Sequence, residues 1–180
     1  MAVDHVKSAG ITNSDAIPAV KNTAGKEGKG YLVNVTGYST AVASSSADAT
    51  YQLVRVPAEA KIKNIVFDSE AQTAGKFDLG VYYATDPQSV AAGHASALLA
   101  ADAIDQDFFA TVIDCASAVA RTDVTNESTS YTHDKREMPL WQAIGLTTNP
   151  GCNLDIVATV KTTAVTTGTG KFGISVDYVL

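Results

Sequence analysis

The chain has no run of arginine or lysine, only two cysteines and three histidines, and no long apolar stretch, and each shortage removes a class of function. With 13 basic against 19 acidic side chains and a net charge of −6, there is no cationic excess to neutralise phosphates, so direct nucleic-acid binding is not expected. The longest largely apolar segment, Ala95 to Ala101, is far shorter than the roughly 20 residues a membrane span needs, so no membrane partner is expected. Met1-Ala2-Val3-Asp4-His5 lacks the charged and apolar regions of a signal peptide, and synthesis in a cytoplasm is the expectation. Cys115 and Cys152 stand far apart with no CxxC spacing, which in a reducing compartment reads as two buried thiols.

Catalytic patterns are missing as well. No G-x-S-x-G occurs, and His5, His94 and His133 fall in three unrelated segments. Gly168-Thr169-Gly170-Lys171 is followed by Phe172 and leads into a strand pattern, so it reads as a turn and not as a phosphate loop. Asp102, Asp105 and Asp107 lack the glycine bend of a calcium loop. A glycosidase pair could be drawn only from Asp78, Asp155 and Asp177, which the pattern places on the polar sides of strands, with Lys63, Lys76, Lys161 and Lys171 available to pair with them. No enzyme, cofactor or metal is expected.

What is present is a two-residue period. At 180 residues with 46% apolar content the chain fits one domain with a real core. Strand patterns begin at Tyr31, cover Thr50 to Val56, Lys61 to Asp68 and Lys76 to Tyr83, and return at Leu140 to Leu146, Leu154 to Val160 and Phe172 to Leu180, the last two reading as a long hairpin. In the fourth of these Phe77, Leu79, Val81 and Tyr83 should face the core, with Asp78, Gly80 and Tyr82 facing solvent or a neighbour. Thr85-Asp86-Pro87 signals a helix start, expected to run from Gln88 to Ala101, and Ile104, Phe108 and Val112 suggest a second helix. Residues 117–137 read as a polar loop with a strand at Val119 to Val124. The expected fold is therefore mostly β: an antiparallel β-sandwich or jelly roll over residues 31–180 with a short helical insertion.

Residues 1–30 follow neither period. Their scattered apolar residues Val3, Val6, Ile11, Ile17 and Val20 end in Gly25-Lys26-Glu27-Gly28-Lys29-Gly30, which reads as an extended arm that packs only when a neighbour supplies the surface. A second candidate contact is Asp134, Lys135, Arg136 and Glu137, where both charge signs lie beside Met138, Pro139, Leu140 and Trp141, a polar rim next to an apolar anchor.

Four stretches then stand out in order: Tyr51 to Ala58, Phe77-Asp78-Leu79-Gly80-Val81-Tyr82, Asp105 to Ala110, and Asp134 to Trp141. Together they resemble a family of small tailed-phage virion proteins, in which a D-x-G-x-Y strand, an acidic helix and a late tryptophan strand succeed one another. The resemblance covers about residues 30–180. It implies a capsid decoration (cement) protein of bacteriophage: a β-sandwich acting as an oligomer, expected to be a trimer, on the major capsid protein, and located on the capsid surface of the virion. No catalytic residue carries over. A tail or head-tail junction protein, or a carbohydrate-binding sandwich presenting Tyr82, Tyr83 and Tyr131, are the alternatives.

Overall fold

The computed structural model describes residues 31–42, 45, 47–72, 75–94, 102–161 and 170–180. The expected arm, with Val3, Val6, Ile11, Ile17 and Val20, lies outside the described residues, as does most of the turn before Lys171. The strands are β1 (Leu32–Thr40), β2 (Thr50–Pro57), β3 (Lys61–Ser69), β4 (Lys76–Tyr83), β5 (Ala103–Asp114), β6 (Val119–Asp123), β7 (Asn153–Val160) and β8 (Lys171–Val179). Two short helices, α1 (Pro87–Ala91) and α2 (Leu140–Ala143), and a 3-10 helix at His133–Glu137 complete the described elements.

The strands form two four-stranded antiparallel sheets, β1-β8-β3-β6 and β2-β7-β4-β5. The pairs β1·β8, β2·β7, β3·β6 and β4·β5 nest inside one another, as in one long antiparallel ribbon bent at the β4–β5 connection. Rolling that ribbon brings β3 against β8 and β4 against β7, which closes the two sheets of a jelly roll. The expected β-sandwich is thus the fold. The β7–β8 hairpin is not: these strands lie in opposite sheets, and every consecutive pair except β4–β5 changes sheet.

Between the sheets the expected alternation holds. Phe172, Ile174, Val176 and Tyr178 of β8 point inward with Ile62, Ile65 and Phe67 of β3, against Phe77, Leu79 and Val81 of β4. Two aromatic clusters anchor the core. Phe77 stacks on Phe172 at 4.7 Å with Tyr51 edge-on at 5.1 Å, and Phe108, Phe109 and Tyr131 meet at 5.0–5.3 Å. Each such pair adds about 1 kcal/mol beyond its burial.

Several local expectations are corrected. The residues read as a second helix, Ile104 to Val112, are the twelve-residue strand β5. Leu79 pairs with Ala110 and Val81 with Asp105, so β5 carries surplus residues that bulge over Gly80, where a Cβ would lie 2.2 Å from the Gln106 carbonyl oxygen. The bulge tucks Phe108 and Phe109 into the core and contributes to burial of the outer face of β4, so Asp78, Gly80 and Tyr82 do not face solvent. Leu140 to Leu146 is not a strand. Pro139 precedes α2, whose Leu140 and Ala143 are buried on one face, and Leu140 and Trp141 N–H groups donate to the Ala60 and Ala58 carbonyls. Helix α1 begins where expected, with Asp86 accepting from the Ser89 N–H at 2.8 Å, and ends at Ala91 ahead of Gly93, at φ +94°, while Ala95 to Ala101 of the expected helix lie outside the described residues.

Candidate functional site

The three strand aspartates test whether the sandwich holds chemistry. Asp78 is fully buried; its Oδ2 lies 2.7 Å from Lys161 Nζ and its Oδ1 accepts from the Val112 N–H at 2.9 Å. Val112 sits at φ +54°, a strained conformation for a β-branched residue, and the Asp78 bond holds it there. Asp155 accepts from Arg55 Nε at 2.6 Å and from Gln52 Nε2 at 2.9 Å. Asp177 accepts from Asn34 Nδ2 at 2.6 Å and from Asn64 Nδ2 at 3.3 Å. Lysine pairing was legible for Asp78; the Arg55 and asparagine partners were not.

Asp78 lies opposite Thr159, and Asp155 opposite Tyr82, so the two are four strand residues apart. That is about 13 Å at the strand rise, beyond the roughly 5–9.5 Å that glycoside hydrolysis requires. All three carboxylates are committed to holding strands together. Tyr82 is buried with its hydroxyl 2.8 Å from Thr159 Oγ1, Tyr131 is buried with its hydroxyl donating to the Ile62 carbonyl, and Tyr83 stacks on His94 at 3.6 Å. The expected sugar-facing tyrosines therefore do not form an exposed platform.

Cys115 and Cys152 are free and buried. Cys115 follows β5 at one end of the sandwich and Cys152 precedes β7 at the other, a strand length of about 26 Å, far beyond disulfide reach. Burial pushes the Cys115 thiol up to about 11. Among the described residues no group of three or more His, Cys, Asp or Glu could hold a metal ion, and no helix is long and apolar enough to cross a membrane.

The charged run forms the 3-10 helix His133–Glu137, one turn before α2. Its two basic residues are half-buried. Lys135 Nζ donates to the Ser130 carbonyl at 2.6 Å and stands 5.2 Å from the centre of the Phe108 ring, while the Arg136 carbonyl accepts from Lys63 Nζ at 2.7 Å. Desolvation lowers the Lys63 pKa. Asp134 and Glu137 face outward, and a bond from Thr132 is the main reason the Asp134 carboxyl lies below its usual range. The run therefore presents Asp134 and Glu137 at the surface, held from below by the Lys135 side chain and by the Lys63 bond to the Arg136 carbonyl. Met138 and Trp141, expected as an anchor, pack half-buried on the protein's own core.

This surface shares one end of the sandwich with the start of the domain. Leu32 and Lys61 both pair with Val179, so β1 begins, β8 ends and β3 begins together, and Lys63 of β3 contacts the charged run. Tyr31, Leu32 and Leu180 are exposed there, at 91%, 64% and 63%. A separate open groove of about 810 Å³ lies on the outer face of the β1-β8-β3-β6 sheet, bordered by Tyr38, Asp68, Arg121 and Ser175, with no histidine or cysteine in its lining.

No family model and no curated protein matches the chain. Solved structures do. A chain of the capsid of Ralstonia phage GP4 is 11% identical over 83% of this chain and 84% of that one, with a TM-score of 0.54. A chain of the cyanophage Pam1 capsid asymmetric unit is 14% identical over 84% and 86%, with a TM-score of 0.48. At this identity the likeness to the GP4 chain is one of fold.

Proposed function

We propose that this chain is a structural protein of a bacteriophage virion that binds the assembled head from outside as a decoration, or cement, protein. The observation that carries the reading is the jelly roll itself, similar over most of its length to a chain of a phage capsid. The ordered motifs from Tyr51 to Trp141 support it, although Asp105 to Ala110 is a strand and Trp141 lies in a helix, so the likeness rests on sequence order and not on the elements first expected. The strand carboxylates add support, because each is consumed in a pairing that stabilises the sandwich.

On this reading the partners are the major capsid protein and further copies of the chain, with a trimer as the expected order. The contacts are residues 1–30 and the exposed acids Asp134 and Glu137, with Lys135 and Arg136 setting their position. The arm leaves the domain at the same end as that acidic surface, so both could meet one shell. The test is reinforcement of heads lacking the protein. Full-length protein is expected to raise the temperature at which such heads open, and protein without residues 1–28 to remain folded but give no protection. Equal protection by the truncated protein would remove the arm from the account.

A further inference from the structure

A sandwich of two four-stranded sheets has four edge strands, here β1, β6, β2 and β5. Unpaired edges invite pairing with other chains, and proteins usually blunt them with bulges, short strands, proline or charge. Three of these edges are blunted. The edge strand β6 has five residues, includes Arg121 at φ +44°, and carries both Arg121 and Asp123. In β2 the register shifts between Gln52 and Val54, and the strand ends in Pro57. Asp105, Asp107 and Asp114 line β5, which is bulged and kinked at Val112.

β1 has none of these devices. Its nine residues, Leu-Val-Asn-Val-Thr-Gly-Tyr-Ser-Thr, contain no charge and no proline, and all nine pair with β8 without a register shift. Its other side is an edge about 31 Å long to which no described strand is bonded. Apolar side chains stand exposed along and beyond it: Tyr31, Leu32, Tyr38 at 77% and Val42 at 63%.

We propose that this edge is an interface between copies, with β1 of one chain pairing antiparallel to β1 of a second across a two-fold axis near Thr36. Neutrality and sequence point to a second copy as the occupant. Among the four described edge strands β1 alone carries no charged residue, so in a chain of net charge −6 it meets its own image in any register without opposing like charges. Reversal about Thr36 also sets Tyr38 of each copy opposite Asn34 of the other on the outer face, and brings the apolar start of one strand, Tyr31 and Leu32, beside the end of the other, near Val42. The exposed apolar groups at both ends would thus be covered in one symmetric step. The two β1-β8-β3-β6 sheets would become one of eight strands.

The test uses the full chain without phage heads, so it stands or falls separately from head binding. Thr36→Lys would oppose two ammonium groups at the axis and is expected to halve the sedimenting mass, whether from a dimer to a monomer or from six copies to three. An unchanged mass overturns the proposal. Thr36→Cys is expected to become a covalent dimer on mild oxidation, since directly opposed strand residues have Cα atoms about 4.5–5.5 Å apart, within disulfide range. Equal cross-linking of Arg121→Cys, on the opposite edge, would mean random collision and would overturn it. So would a monomer in which the edge-facing amides of Leu32–Thr40, those that alternate with the amides bonded to β8, exchange slowly, because the edge would then be covered within one chain.

Discussion

Individual polar residues in this sandwich act by satisfying one another. Asp86 caps α1, and the Ser89 N–H, the Asn153 side chain and the more distant Arg55 hold its carboxyl at about 2 against an ordinary 3.8. Because its folded pKa is depressed, the unfolded chain binds more protons between those values. Asp86 therefore contributes stability that is complete above about pH 4 and is lost as pH falls toward 2. Denaturant midpoints of wild type and Asp86→Asn are expected to differ at pH 6 and to converge near pH 2; a constant difference would contradict the assigned bonds. At Asp78 the partner matters more. Removing Lys161 leaves a fully buried carboxylate with a single N–H bond, so Lys161→Met is expected to cost about 2 kcal/mol, a figure kept low because Lys161 is itself 42% exposed and water can enter in its place. Urea unfolding measures it. The Asp86-Pro87 start signal was legible because it is local chemistry, whereas the Arg55 pairing depends on β2 and β7 becoming neighbours and leaves no trace in nearby sequence.

At the level of elements, strands with clean alternation were legible and interrupted ones were not. β8 and β3 bury every second or third residue as their sequences suggest. β5 was misread because bulges insert residues into a two-residue period, and the resulting spacing of Ile104, Phe108 and Val112 imitates a helix; Val112 is in fact 44% exposed at the kink. Trp141 was misread because Leu140 and Ile144 resemble a strand until Pro139 and the loop around it turn the chain into one helical turn. The sandwich is also tightest at glycine. A Cβ on Gly37 would lie 1.8 Å from the Leu53 carbonyl oxygen, where the β2 bulge presses on β1 from the other sheet. Gly37→Ala should therefore force the sheets apart and destabilise by about 3 kcal/mol, read from its urea midpoint. A neutral result would mean that β1 is free to shift away from β2.

At the scale of the whole molecule, the sandwich commits Asp78, Asp155 and its thiols to the interior and leaves its surfaces for contact. Among the described residues, Asp78, Asp155 and Asp177 hold strands, both thiols are buried, and the exposed features include one unblunted edge, an open groove on the same sheet and an acidic end. The two-residue period made the β class visible, but pairing across sheets, which decides the jelly-roll order, depends on contacts far apart in sequence. The claim that this fold serves a phage head is tested most directly by sedimenting purified full-length protein alone and mixed with heads that lack it. The account predicts that the protein moves with the heads and saturates at a fixed number of copies per head; protein that stays at its own sedimentation position at every ratio would contradict it.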